Sequence, residues 1–288
     1  MTFNDNARVG GHTAKRRGRG VAVAGGGVAG LGLIAVLLLN IFTGGDFSGL
    51  IPAEPQQADP GSEIADCETG ADANARDDCR LAAASLAIDQ FWQQEVEGYR
   101  PPQLIIVDTS ASTQCGTASN QTGPFYYPPE ETVYVDPTFF ALLRDRFGAS
   151  AGPLAQLYVL AHEYGHHVQQ ITGVMQDHPD NGSGPDSNGV RIELQADCFA
   201  GAWVGEMTEQ VDENGVPFLE APTAEQIADA INAAQVVGDD HIQEQTSGFI
   251  NTESWTHGSS DQRRSWFETG YRQGVGACDT FGIPGGSL

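Results

Sequence analysis

Apolar residues recur at intervals of three and four through residues 152–173, GPLAQLYVLAHEYGHHVQQITG. Leu154, Leu157, Ala161, Tyr164, Val168 and Ile171 form one stripe of helical period, which predicts a helix with that face in a core. Pro153 opens it and Gly173 closes it, each at the helix end that suits its backbone. The same period predicts a helix over 78–97, with Leu81, Leu86, Ile88, Phe91, Trp92 and Val96 inward. Two more follow over 137–147 and 188–210, the second with Ile192, Ala196, Phe199, Trp203 and Met207 as its stripe. Thr223 caps a further helix, and Ser259 to Gln262 fits a capping box that starts the last one, ending near Val275. Short apolar runs bounded by turn residues predict strands at 103–108 and 132–136. Between them, the Gly123-Pro124 and Pro128-Pro129 steps exclude a regular central strand, so 109–131 reads as loop, as does 177–189. The fold class is therefore α+β, mainly helical, with a small sheet.

A different pattern marks the N-terminal part. Residues 21–42, VAVAGGGVAGLGLIAVLLLNIF, carry no charge and are long enough to cross a bilayer. Arg8, Lys15, Arg16, Arg17 and Arg19 crowd the positions before them. The positive-inside rule then expects a single transmembrane helix, with 1–20 a cytoplasmic tail and everything after it outside the cell membrane. Residues 43–77, rich in Gly, Pro, Gln and acids over 44–63, become an extracytoplasmic linker. The folded domain is expected at 78–283, with 284–288 a short tail. Of the 288 residues 38 are acidic and 14 basic, and a net charge of −24 argues against nucleic acid as a partner.

Five cysteines suit an oxidising exterior. Cys67 and Cys79 are close together in a polar stretch, where a local disulfide is expected; of Cys115, Cys198 and Cys278, one must be unpaired. None stands in a C-x-x-C pattern, which argues against a cysteine-built metal site.

The predicted helix at 152–173 carries the chemistry. His162 and His166 stand four apart, one above the other, on the face roughly opposite the apolar stripe. Glu163 is the only Asp, Glu, Lys or Arg between Arg146 and Asp177. HEYGH is an H-E-x-x-H sequence, in which two helical histidines bind zinc and the glutamate serves as general base. A third ligand is needed, and the 188–210 helix offers Glu193, with Asp197 one turn on to accept the far N–H of His162. Asp186, His241 and His257 rank below Glu193 for that position. His167 points off the ligand face and reads as structural, and His178 as an unliganded loop residue. These readings imply one zinc per chain and a protein or peptide substrate.

HEYGHHVQ, VRIELQADCFAG, VVGDD, THGSSDQRRSWF and CDTFG follow one another in an order that resembles the bacterial family called putative neutral zinc metallopeptidases, over 102–282. GPFYY and TVYVD fit the same pattern. The resemblance implies a zincin-like fold, with the small sheet lying over the motif helix, and a peptidase activity. Position 127 is Tyr where many members have Cys, so the resemblance implies that Cys115 lacks its usual partner and that Cys198 pairs with Cys278. The THGSSDQR segment also looks like the T-H-P…R segment of membrane-associated zinc proteases that share the E-x-x-x-D pattern. That likeness implies support of an oxyanion for His257 and a structural role for Arg263; Asp239, Asp240 and His241 receive no role. An extended substrate is expected to add to a sheet edge, near 104–107 or 132–135. The alternative to an anchored peptidase is a non-catalytic, zinc-stabilised binding or assembly module, and a glutamate at 163 counts against it.

Overall fold

The computed structural model describes residues 2–18, 61–113, 116–119 and 122–288. In chain order its regular elements are β1 (Lys15–Gly18), β2 (Ser62–Glu63), α1 (Gly70–Ala75), α2 (Asp77–Glu95), β3 (Gln103–Asp108), β4 (Ser110–Thr113), β5 (Gly116–Ser119), β6 (Phe125–Tyr127), β7 (Thr132–Val135), α3 (Phe139–Phe147), α4 (Pro153–Ile171), α5 (Val174–Asp177), α6 (Asn188–Glu206), α7 (Ala224–Val236), α8 (Asp239–Ser247) and α9 (Ser260–Gln273).

Side chains that satisfy free N–H groups set the helix starts. Thr69 with Asp72, Thr223 with Gln226, and Ser259 with Gln262 close capping boxes at α1, α7 and α9, and the Ser187 hydroxyl accepts the Val190 N–H at α6. No side chain of its own turn caps α4. That end is met by α7, whose Asp229 Oδ2 would stand 2.3 Å from a Cβ on Gly152.

Five strands form one sheet in the order β2-β1-β3-β7-β6. β1, β3 and β7 run parallel, with Arg16 opposite Ile106 and Ile105 opposite Tyr134, while β2 and β6 pair antiparallel at the two ends. The residues of β3, β6 and β7 are mainly apolar because both faces are covered there. Leu104, Ile106, Tyr126, Val133 and Val135 join the helical core, whereas Ile105, Val107, Phe125 and Tyr134 pack with Ala111 and Ala118 of the β4–β5 hairpin. The loop expected at 109–131 thus holds that hairpin and the edge strand β6. Its prolines flank β6 and do not interrupt it: Pro124 precedes the strand and Pro128-Pro129 turn the chain after it.

Residues 2–18 are not a separate tail. Phe3, Ala7, Val9 and Ala14 are buried in the main core, and β1 fills the side of β3 that β7 leaves open. The basic residues there have partners inside the domain: buried Arg17 donates from Nη1 to the Tyr134 hydroxyl at 3.0 Å, and Arg16 pairs with Asp78. The expected span at 21–42 and the linker to residue 60 lie outside the described residues, among which no helix is long and apolar enough to cross a membrane. The remainder of that linker, 61–77, packs on the domain through buried Ile64 and Cys67, so the domain boundary at 78 moves forward. Cys67 is bonded to Cys79, and Cys198 to Cys278; Cys115 lies outside the described residues.

α6 runs between α4 and α9 and positions the site. The α6–α9 crossing is close enough that a Cβ on Gly270 would sit 1.8 Å from the Cys198 carbonyl oxygen, so only glycine fits. The Cys198–Cys278 bond ties the chain after α9 back to α6 at the same place.

Candidate metal centre

α4 and α6 bring four of the expected residues together. His162 Nε2 lies 3.2 Å from Glu193 Oε2, and His166 Nε2 lies 3.5 Å from Glu193 Oε1. All three donor atoms fall within 4.8 Å of one another. Two nitrogen or oxygen ligands of one tetrahedral zinc stand about 3.4 Å apart, so the three residues fit that ion. The other cluster of this kind among the described residues, Cys67, Asp78 and Cys79, is taken up by its disulfide.

The imidazoles are held through their far nitrogens, which leaves each Nε2 lone pair for a metal. His162 Nδ1 donates to Asp197 Oδ1 at 2.8 Å. Asp197 is fully buried, and it is fixed in turn by Arg263 and by the Tyr158 hydroxyl. Burial opposes the Asp197 charge, but Arg263 and His162 outweigh it and hold the carboxyl below its ordinary value. Burial likewise opposes a proton on His162, yet the Asp197 and Glu193 carboxylates raise its pKa to about 10 in the metal-free protein. Glu193, also against burial, is held well below the carboxylate range by His166 and His162.

His166 is oriented by a residue that the sequence reading passed over. Its Nδ1 donates to Gln169 Oε1 at 2.9 Å, and Gln169 is itself fully buried. The Gln169 amide donates to the Ile192 carbonyl and to Gln195 Oε1, and Gln195 donates to the Cys278 carbonyl. A chain of two amides therefore joins the second disulfide to His166. The available signal was the position of Gln169, three residues after His166 on the same helix face.

Glu163 is buried between the two histidines, and burial raises its pKa. The backbone of Tyr126 in β6 lies near it and opposes that rise, which brings the edge strand to the motif. His257, just before α9, is close enough to Glu193 for the two charges to interact, and its Nδ1 lies near Asp239 Oδ1. The remaining histidines take other tasks. His167 Nε2 donates to the Arg100 carbonyl at 2.7 Å while Nδ1 meets the Tyr126 hydroxyl at 3.0 Å, stapling α4 to β6. His178 stacks on Phe281. Neither His241 nor Asp186 belongs to the group of His162, His166 and Glu193.

The fold and site define a class: an α+β protein in which two helices bring two histidines and a glutamate into a group that could hold a metal ion, beside a buried glutamate, near an edge strand. The chain belongs to the family of putative neutral zinc metallopeptidases, which matches it over residues 3–281 and so takes in β1. It is 44% identical over 247 residues to an uncharacterized protein of Mycobacterium tuberculosis (strain ATCC 25618 / H37Rv), covering 85% of this chain and 84% of that protein. It is 36% identical over 268 residues to the uncharacterized protein YpfJ of Escherichia coli (strain K12), with 89% and 88% covered. No solved structure matches the chain.

Proposed function

We propose that this protein is a zinc-dependent endopeptidase, in which His162, His166 and Glu193 hold one zinc ion per chain and Glu163 is the general base. Zinc in such a site supplies Lewis acidity, polarising a scissile carbonyl and making water acidic. Glu163 takes the proton of the attacking water on its carboxylate and returns it to the leaving amine nitrogen. His257 faces the developing oxyanion and donates a hydrogen bond to it. Asp197 and Gln169 keep the two ligating rings in register through the cycle.

The observation that carries this reading is Glu163 itself: a buried carboxyl with a raised pKa, flanked by the convergent histidines. A metal that only stabilised the fold would have no use for it. An extended substrate strand is proposed to lie along β6. The sequence expectation of a grip near 104–107 or 132–135 gives way here, because β3 and β7 are both interior in the sheet. The uncharged run at 21–42 supports attachment to a lipid surface. The test is Glu163→Gln, which should keep stoichiometric zinc and lose hydrolysis of a denatured-protein substrate. Turnover in that variant rules out the mechanism. A zinc-loaded wild type that cleaves no peptide pool would favour the non-catalytic module.

A further inference from the structure

We propose that Gly238-Asp239-Asp240 is a clamp that sets the orientation of His257, with Asp239 as the positioning residue; the catalytic value of that orientation rests on the peptidase reading above. Asp239 is buried at the start of α8, 1% exposed, and one of its oxygens collects three successive backbone N–H groups. Oδ2 accepts from Thr256 at 2.7 Å, from His257 at 2.6 Å and from Gly258 at 3.0 Å. The Asp239 N–H returns a bond to the Gly258 carbonyl at 2.8 Å. Asp240 Oδ1 accepts the Ser260 N–H at 2.8 Å, so the next carboxylate fixes the start of α9. The two chains lie so close that a Cβ on Gly238 would stand 2.5 Å from the Ser260 nitrogen.

Three donors on one carboxylate oxygen fix the backbone on both sides of His257. The second oxygen then acts on the ring. Nδ1 lies 3.3 Å from Asp239 Oδ1 and 2.9 Å from Thr256 Oγ1. An ionised carboxylate cannot donate, so its contact with Nδ1 needs the ring proton there. In neutral His257 this leaves Nε2 unprotonated. On protonation Nε2 becomes the donor that a developing oxyanion would meet, while Nδ1 stays bound to Asp239. A carboxylate used only to staple a loop would spend its bonds on the backbone and leave the tautomer free.

The experiment uses the full chain, metal-free, with the imidazole nitrogens labelled and the His257 signals assigned by their loss in His257→Gln. Nitrogen–proton correlation spectra should show neutral wild-type His257 as the Nδ1–H tautomer. Asp239→Asn keeps an oxygen for the three backbone donors and places an NH2 group against Nδ1, so the ring should switch to Nε2–H. An Nε2–H tautomer in the wild type overturns the proposal, and this reading stands even if the variant fails to fold. An unchanged tautomer in folded Asp239→Asn overturns it as well. In the zinc-loaded protein, Asp239→Asn replaces a charged Nε2 donor paired with a carboxylate by a neutral one, and should lower kcat on denatured casein by about 10–100-fold with KM little changed. Rescue by Asp239→Glu should be partial. If the tautomer switches as expected but wild-type enzyme cleaves nothing, the positioning holds and the peptidase reading fails.

Discussion

Arg263 grips both oxygens of Asp197, with Nε to Oδ2 at 2.8 Å and Nη2 to Oδ1 at 2.9 Å, and both side chains are buried. The pair crosses from α9 to α6 and gives His162 a charged, immobile acceptor. Removing the cation leaves a buried carboxylate without its counter-charge, a change that costs about 3–5 kcal/mol in comparable pairs. Arg263→Ala should therefore lower the unfolding free energy of the metal-free protein by that order. It should also weaken zinc binding about 10–100-fold, read by competition with a chelator of known affinity.

Gln169 offers a milder perturbation of the same site. Gln169→Leu removes the acceptor of the His166 Nδ1 proton and strands the Ile192 carbonyl and Gln195. Each buried group left unsatisfied costs about 1–3 kcal/mol. Zinc affinity should fall by about 10-fold or more, whereas Gln169→Glu, which keeps the acceptor for His166 while losing the two amide donors, should lose less zinc affinity than Gln169→Leu.

Asp89 gives the stability a pH dependence away from the metal. It accepts the Tyr99 hydroxyl at 2.7 Å, and burial lifts its pKa from 3.8 to about 7. Between those values the folded state keeps a proton that the unfolded chain has released, so stability declines as pH rises from about 4 to 7 and then levels. Asp89→Asn, which retains an acceptor for Tyr99, should remove that slope. The variant should exceed the wild type above pH 7 by on the order of 4 kcal/mol in urea unfolding, with the difference vanishing near pH 4.

The α6–α9 crossing makes a fourth test. Gly270→Ala places a methyl group inside the radius of the Cys198 carbonyl, so the helices must part. A loss of about 1–3 kcal/mol or more is expected, measured as a lower melting temperature of the metal-free protein. Zinc affinity should fall with it, because Glu193 and Asp197 ride on the displaced helix.

The parts legible in the sequence were those with a period or a cap. Glu193 and Asp197 were picked out because they sit one turn apart beside the apolar stripe that predicts α6, and α4, α7 and α9 were legible because Pro, Thr and Ser mark their starts. Predicted ends were looser: α6 stops at Glu206, not 210. Gln169 and Gln195 went unread because a neutral amide carries no charge pattern, and its partners are carbonyls that sequence does not display. Asp239 was visible, but its donors are the N–H groups of residues 256–258, a contact set by tertiary approach alone. β1 was misread for a physical reason. KRRG shows no alternation of apolar and polar positions, and its arginines are partnered by Tyr134 and Asp78 from distant parts of the chain.

Lys15 and Glu63 are direct cross-strand partners, as are Arg16 and Ser62, although residues 19–60 separate them along the chain. The described chain therefore leaves the domain after Gly18 and re-enters it at Gly61, beside one strand pair. A bilayer cannot pass between two neighbouring strands, so residues 2–18 and the metal site share one compartment for as long as β1 stays in the sheet. An N-terminus on the opposite side would require stripping β1 from β3, from Lys15–Ile105 through Gly18–Asp108. Paired cysteines at positions 15 and 63 should accordingly cross-link in intact cells.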